Sequence, residues 1–371
     1  MVSATETVRV VIAGGGTGGH LYPGIAVARE FLARDSASQV TFAGTASGIE
    51  SRVLPREGLT LDLIRSGGLK GKSIGDRLRG VKLLPQGFAD AWRLISRRQP
   101  RIVIGVGGYS SGPVVLAAAL RGIPTMVLEQ NAVPGLTNRL LARVVRAAAV
   151  TYESTRSFFG EKAVVSGNPV RPEFFNLAGP SAEEANADGR SAIVRVLVFG
   201  GSQGAHAINV AMVEAAPGLA ASGAHLRITH QTGERDVEMV RAGYRAAGIQ
   251  ADVEPFFYDM GRQLGDADVI VCRAGATTLA EVAAAGRPSI LIPLPTATDD
   301  HQRRNAEAIA AAGAADLLLQ KDATGSMLAR RILSLANDPA ARARMARAAR
   351  ALARPDAAKV IVDTALALAK A

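Results

Sequence analysis

Cysteine occurs once in the 371 residues, as Cys272. That excludes a disulfide framework and a cysteine metal cluster, and a reducing compartment is expected. Aromatic residues make up only 4% of the chain. Stacking platforms for bases are therefore scarce, and no nucleic-acid partner is expected. No apolar run approaches the roughly 18 residues a transmembrane helix needs. Residues 1–7 are polar and run into a β-branched segment, so no signal peptide is expected there. Acids are nearly missing from one stretch. Residues 65–101 carry ten Lys/Arg against Asp76 and Asp90, a net +8 of the +10 on the whole chain. A local field of that size points to an anionic partner, a phosphate ligand, lipid head groups or nucleic acid, of which the scarcity of aromatics disfavours the last.

The length exceeds what one hydrophobic core usually supports, so two domains are expected. Short apolar, β-branched runs lie at 8–13, 39–43, 102–106, 125–128, 194–199, 226–229, 269–272 and 289–292. Helix-like stretches rich in Ala and Leu separate them. Continuous apolar strands between helices predict an α/β fold with parallel, doubly wound sheets. The strand–glycine–helix opening at the first run recurs at 194–199, so two Rossmann-like domains are expected. Residues 177–192 read as a loop or linker. The final helical stretch, 356–371, is a candidate to pack back on the first domain.

Four glycine turns follow apolar runs, at the strand ends where open α/β sheets bind ligands. The first reads Gly14-Gly15-Gly16-Thr17-Gly18-Gly19-His20. It satisfies G-x-G-x-x-G, but the next run ends at Gly44 with no acid for a ribose, and no Lys follows Gly19 as in a P-loop. An anion nest at a helix N-terminus remains. A strand–helix turn without a ligand is the ordinary alternative, for which five glycines in six residues are excessive. The second turn is Gly200-Gly201-Ser202-Gln203-Gly204-Ala205, where Ser202 offers a hydroxyl to phosphate. A third turn, Gly107-Gly108-Tyr109, belongs beside the first by topology. The fourth turn, at Gly275, precedes Ala276, Thr277 and Thr278, which would supply helix N-terminal amides. Glu281 then falls near the helix start, as a ribose ligand or merely as a complement to the helix dipole.

The segments GGGTGGHLYPGIAVA, GTASGIESRVLPREG, GVGGYSSGP, LEQNAVPGLTNRLLA, VVSGNPVRPEF, FGGSQGAHAINV and VCRAGATTLAEVAAAGRPSILIPLP occur in that order. Together they resemble the MurG family, the N-acetylglucosaminyltransferases of bacterial peptidoglycan synthesis. The resemblance implies a GT-B fold, two Rossmann-like domains facing a cleft. Residues 1–170 would face acceptor and membrane, 171–354 would bind the donor, and 355–371 would return to the first domain. It implies inverting transfer of GlcNAc from UDP-GlcNAc to the C4 hydroxyl of MurNAc in lipid I, giving lipid II. Donor contacts carried over by motif are Thr17, Gly18, Gly19, Asn131, Arg171, Ser202, Phe257, Gln302 and the run Ala276, Thr277, Thr278, Leu279, Ala280 and Glu281. Glu281 would hold ribose, and Phe257, on the strand before that run, would meet uracil through its backbone. Acceptor contacts would be Gly16, His20, Gly107, Gly108 and Tyr109. The chain departs from the family pattern at Leu128, where members often carry His, and at His301, where they often carry Gln.

Leaving-group charge can be stabilised by helix amides and Arg171 without a metal. No cofactor is expected, and Asp266 and Asp268, though spaced as D-x-D, sit at a strand entrance. His20 is the candidate base, since a near-neutral imidazole suits that role; hydrogen bonding to a phosphate or capping the helix are its alternatives. Glu129 is the second candidate. Ile74, Leu78, Val81, Leu84, Phe88 and Trp92 recur at helical spacing among cations. They read as an interfacial patch for an anionic membrane, or as the core stripe of an ordinary amphipathic helix. The resemblance implies a peripheral place on the cytoplasmic membrane face and contacts with other cell-wall synthesis proteins. A transferase or UDP-sugar epimerase acting on a soluble molecule is the competing enzyme, and a non-enzymatic nucleotide binder the competing class. The second glycine turn with 276–281 is expected to hold UDP, and the first, with Gly107, to face the acceptor's diphosphate.

Overall fold

The structure is a computed structural model. It describes residues 7–66, 74–177, 193–201 and 203–370, with backbone alone for 74–84. Ser202 and almost all of the expected linker therefore lie outside the described residues. The chain forms two compact units, one of Met1–Val170 with Arg354–Ala371 and one of Arg171–Ala353.

The first unit is built on seven strands, β1 (Arg9–Gly14), β2 (Gln39–Gly44), β3 (Thr60–Leu63), β4 (Ile102–Gly107), β5 (Thr125–Glu129), β6 (Ala147–Val150) and β7 (Ala163–Val165). Their order is β3-β2-β1-β4-β5-β6-β7, with every pair parallel. Alternate residues of a strand point to opposite faces. Val10 and Ile12 of β1 accordingly enter a core with Ile25, Phe31, Phe42 and Ile104. Val11 and Ala13 enter a second core with Ile95, Val103, Val114 and Val127. Helix α1 (Gly18–Arg34) covers the first face, joined there by Ile361, Val362 and Ala365 of α14 (Ala357–Lys370). Helices α3 (Ile74–Arg98) and α4 (Ser111–Leu120) cover the second. Shorter helices α2 (Glu50–Arg56), α5 (Leu136–Leu141) and α6 (Glu153–Phe159) complete the described connections. The strand order reverses direction between β1 and β4, the switch point at which such sheets receive ligands.

The second unit has six parallel strands, β8 (Val194–Phe199), β9 (Leu226–Gln231), β10 (Ala251–Glu254), β11 (Val269–Cys272), β12 (Ser289–Leu291) and β13 (Asp316–Leu317). Their order is β10-β9-β8-β11-β12-β13. The core combines Val196, Val198, Ile228, Tyr244, Val271, Ile290 and Ile332. Helices α7 (His206–Ala221), α8 (Val237–Ala246), α9 (Met260–Asp266), α10 (Ala276–Ala285), α11 (His301–Ala311), α12 (Gly325–Ala336) and α13 (Pro339–Leu352) connect and flank the strands. One polar link crosses this interior. His230 is fully buried, with Nδ1 2.8 Å from the Tyr244 hydroxyl and Nε2 3.0 Å from Asn209 Oδ1. Burial pulls its pKa down to about 3, so the ring is neutral at ordinary pH.

Candidate active site

In the first unit, β1 and β4 pair in register up to Ala13 and Gly105, then shift so that Gly14 stands opposite Gly107. The two glycine turns thereby meet. A Cβ on Gly14 would overlap the Gly107 carbonyl, and one on Gly108 would stand 2.6 Å from the Gly15 carbonyl. His20, in the first turn of α1, lies against Gly107, where a Cβ would come within 2.7 Å of His20 Cδ2. Only a residue without a side chain admits the imidazole there, and Gly107 also has φ +95°, which favours glycine. His20 Nδ1 is 3.2 Å from Thr17 Oγ1. Thr17 thus holds one ring nitrogen, and Nε2 lies on the Gly107 side. The structure therefore brings Gly16, Thr17, His20, Gly107 and Gly108 together, with Tyr109 exposed beside them.

Glu129 ends β5 and is buried. Its Oε1 accepts the Asn131 N–H at 3.0 Å and Asn131 Nδ2 at 3.2 Å. Its Oε2 accepts the Gly135 N–H and Asn138 Nδ2, both at 2.9 Å. Burial raises its pKa against these bonds. Four donors, three from the loop after β5 and one from Asn138 of α5, converge on this carboxylate, which gives it the geometry of a loop organiser. Asn131 is placed by that loop, and Gln130 fastens it to β4 through Nε2 donating to the Val106 carbonyl at 3.1 Å.

In the second unit, Gly200, Gly201 and Gly204 form the turn between β8 and α7. Gln231, at the end of β9, was not singled out by its sequence context. It is buried, donates through Nε2 to the Gly201 carbonyl at 2.8 Å, and accepts the Phe257 N–H on Oε1 at 2.9 Å. One side chain thus fixes both the glycine turn and the segment expected to meet uracil. Phe257 lies in the loop after β10 and not in a strand, and its N–H is already engaged, so its carbonyl is the atom available to a base.

Helix α10 begins at Ala276 after Gly275, with no side-chain cap. The amides of Ala276, Thr277 and Thr278 head its first turn, as an anion site requires. Leu279 is buried in the core, and Ala280 follows it. Glu281 is six residues into the helix, beyond the first turn, where attraction to the dipole has largely decayed. The dipole-complement explanation therefore fails. Instead Glu281 Oε1 faces Arg171 Nη2 at 3.8 Å, and Arg171 also lies 3.4 Å from Glu173 and 4.7 Å over the Phe174 ring. Burial pushes the Glu281 carboxyl up to about 7, with Arg171 opposing.

The sugar-loop region is tied to the same strand ends. Gln302 Oε1 accepts the Leu294 N–H at 3.0 Å. Arg273 is buried and donates to the Ile292 and Pro293 carbonyls at 3.0 and 3.2 Å and to Gln320 at 2.8 Å. Asp299 and Asp300, just before α11, both adopt left-handed backbone with φ 56° and 55°. Such a pair costs energy outside glycine and tends to persist where function requires it. Asp268 accepts the Arg195 N–H at 2.8 Å at the entrance of the sheet, away from the glycine turns.

The membrane candidates fall on α3. The side chains of Ile74, Leu78, Val81 and Leu84 lie outside the described residues. Phe88 is half-buried against the core, together with the buried face of Ala91, Leu94 and Ile95. That position follows the core-stripe alternative for Phe88, because an apolar ring gains by covering the β-sheet. Trp92 is 41% exposed, with the Arg121 guanidinium 5.2 Å over its ring. The basic field is also partly compensated: Arg65 pairs with Asp90, and Arg97 and Arg98 both pair with Asp62 of β3. Among the described residues no helix is long and apolar enough to cross a membrane.

Residues 10–150 match the glycosyltransferase family 28 N-terminal domain, and residues 195–361 match the C-terminal domain of the same family. A relative from Anaeromyxobacter sp. (strain K), named UDP-N-acetylglucosamine–N-acetylmuramyl-(pentapeptide) pyrophosphoryl-undecaprenol N-acetylglucosamine transferase, is 49% identical over 364 residues, covering 98% of this chain and 93% of its own. The crystal structure of MurG from Acinetobacter baumannii superposes with a TM-score of 0.78 at 32% identity, over 97% of this chain and 99% of that one. A UDP-GlcNAc 2-epimerase from Neisseria meningitidis shares the fold, with TM-score 0.69 at 16% identity over 98% and 100%. Two glycosyltransferase domains in the right order, and identity near one half along the whole length, leave one assignment: the chain belongs to glycosyltransferase family 28, within the MurG family, and has its GT-B fold.

Proposed function

We propose that this enzyme transfers GlcNAc from UDP-GlcNAc to the C4 hydroxyl of the MurNAc-pentapeptide of lipid I, giving lipid II and UDP. The observation that carries this reading is the 49% identity over 98% of the chain to a transferase named for that reaction. The acceptor oxygen attacks the anomeric carbon, the bond from that carbon to the UDP oxygen breaks, and the configuration inverts. The hydroxyl proton passes to a base, and the electron pair leaves on UDP.

The donor contacts proposed for the second unit are the α10 amides of Ala276, Thr277 and Thr278 for the diphosphate, with Ser202 and Arg171, Glu281 for the ribose and Gln302 for the sugar. The Phe257 carbonyl serves uracil. The contacts proposed for the first unit are Thr17, Gly18, Gly19 and Asn131 toward the donor, and His20, Gly107, Gly108 and Tyr109 toward the acceptor. His20 is the base in this scheme. Thr17 orients it, whereas Glu129 already accepts four hydrogen bonds.

Lipid I is held in a membrane, and the face proposed to meet it is the exposed apolar side chains of the first unit. Besides Trp92, Leu120 is 64% exposed on α4 and Leu140 is 71% exposed on α5. The proposed location is the cytoplasmic surface of the membrane, held by that face. Incubation of the purified chain with UDP-GlcNAc and lipid I tests the activity. UDP release that depends on lipid I is expected, and conversion of UDP-GlcNAc to its 2-epimer without acceptor would overturn the reading. Sedimentation with vesicles tests the location, with binding that rises with anionic lipid content expected.

A further inference from the structure

Glu50, the first residue of α2, is fully buried beneath the turn between β1 and α1. Its Oε2 accepts the Gly16 N–H at 2.7 Å. Its Oε1 accepts the Thr45 N–H at 2.8 Å and the Thr45 hydroxyl at 2.9 Å. Glycines make the room for it. A Cβ on Gly15 would stand 2.6 Å from Glu50 Cδ, one on Gly44 2.7 Å from Glu50 Cγ, and one on Gly48 would overlap both oxygens. An acid thus does lie at the carboxyl end of β2, where a dinucleotide-binding fold keeps its ribose ligand. It arrives from α2, and with no exposed surface it meets loop backbone instead of ribose.

This has an electrostatic consequence. An anion nest works by turning successive N–H groups toward the ligand. The Gly16 N–H points the other way, into the carboxylate. The N-terminus of α1 contributes about half a positive charge near Gly18, while a carboxylate contributes a full negative one two residues earlier. The Gly16 amide is thereby withdrawn from any ligand, although the loop has the composition of a phosphate cradle.

We infer that Glu50 converts the first glycine loop from an anion nest into a platform for uncharged hydroxyl groups, so that the exposed backbone at Gly16 receives a sugar ring of the acceptor and not its diphosphate. The identity of that sugar rests on the proposed function, but rejection of diphosphate by the loop does not. Glu50 is a positioning residue in this account, acting through Gly16 on Thr17 and His20.

The test uses the full chain labelled with ¹⁵N-glycine and titrated with inorganic pyrophosphate. In the wild type the Gly16 amide proton should resonate far downfield, as a hydrogen bond to a carboxylate dictates, and should not move at millimolar pyrophosphate. In Glu50→Gln, which keeps the shape and removes the charge, it should move upfield and then titrate saturably. Thr45→Val, which leaves the charge in place, should reject pyrophosphate like the wild type and serves if Glu50→Gln does not fold. Saturable pyrophosphate shifts at Gly16 in the wild type or in Thr45→Val would overturn the inference, as would a folded Glu50→Gln that still rejects the ion. In turnover assays the acceptor KM of Glu50→Gln should rise about tenfold, and more than the donor KM. A chain that rejects pyrophosphate at Gly16 yet shows no transfer to lipid I would defeat the proposed function and leave this inference standing.

Discussion

The guanidinium of Arg171 stands 3.8 Å from the carboxylate of Glu281, beyond hydrogen-bond reach but within range of direct charge attraction. Burial outweighs that attraction and carries the Glu281 carboxyl up to about 7 from its ordinary 4.5. The folded protein therefore holds a proton that the unfolded chain has released. The stability this group contributes is complete below pH 4.5 and is lost as pH rises to about 7, a change on the order of 3 kcal/mol. Glu281→Gln should remove that slope from urea midpoints measured between pH 4.5 and pH 7, and an unaltered slope would refute the burial argument. UDP affinity should rise in the wild type as the carboxylate forms. The same variant should weaken UDP binding about ten- to hundredfold by calorimetry, the range for a hydrogen bond to a charged group.

Gln231 joins the Gly201 carbonyl to the Phe257 N–H. Gln231→Ala removes both bonds and should weaken UDP binding about tenfold or more, at roughly 1 kcal/mol per bond. Calorimetric titration with UDP is the measurement. Gln231→Glu should do no better, since its carboxylate would face the Gly201 carbonyl, and wild-type affinity in either variant would remove Gln231 from the donor site.

The two candidate bases should separate cleanly. With both substrates saturating, His20→Ala should lower kcat by about 10²- to 10⁴-fold. Near-normal turnover would exclude His20. Glu129→Gln should instead lower stability by about 2 kcal/mol, because one of its two accepting oxygens becomes an NH2 that faces buried donors of the loop and of Asn138. A thermal melt reads that loss, and a Glu129→Gln protein of unchanged stability would contradict the loop-organising geometry.

Ile361 on α14 is fully buried in the core that also holds Phe31 and Ile104. Ile361→Ala should destabilise the first unit by about 2–5 kcal/mol. Differential scanning calorimetry should then show the transition of that unit moving down while the transition of 171–353 stays in place. A single, unshifted transition would contradict this assignment of α14.

All eight strands visible in the sequence prove to be interior strands of the two sheets: β1, β2, β4, β5, β8, β9, β11 and β12. Most are buried along nearly their whole length, which is what makes a run continuously apolar, while β9 exposes Arg227. The four sheet edges, β3, β7, β10 and β13, escaped notice because they are short and partly solvated, as Thr60, Leu63, Asp252 and Asp316 illustrate. The interior strand β6 was hidden differently, since its Ala147-Ala148-Ala149 reads as helix. The glycine turns were legible because composition alone marks them. Glu50 and Gln231 were not, since their partners lie 34 and about 30 residues away in sequence and only the sheet order unites them. The apolar spacing of α3 was legible too, but spacing could not separate a core face at Leu94 from an outward ring at Trp92.

The core filled by Ile361, Val362 and Ala365 has a temporal consequence. A ribosome emits residues 1–170 first, but the helix that seals this core emerges only after the whole of 171–353. The nascent first unit must therefore wait with the apolar groove beside α1 uncovered while a second, self-sufficient unit forms behind it. Synthesis order and completion order are inverted, and a chaperone acting during translation would find its client in the half of the chain that was made first.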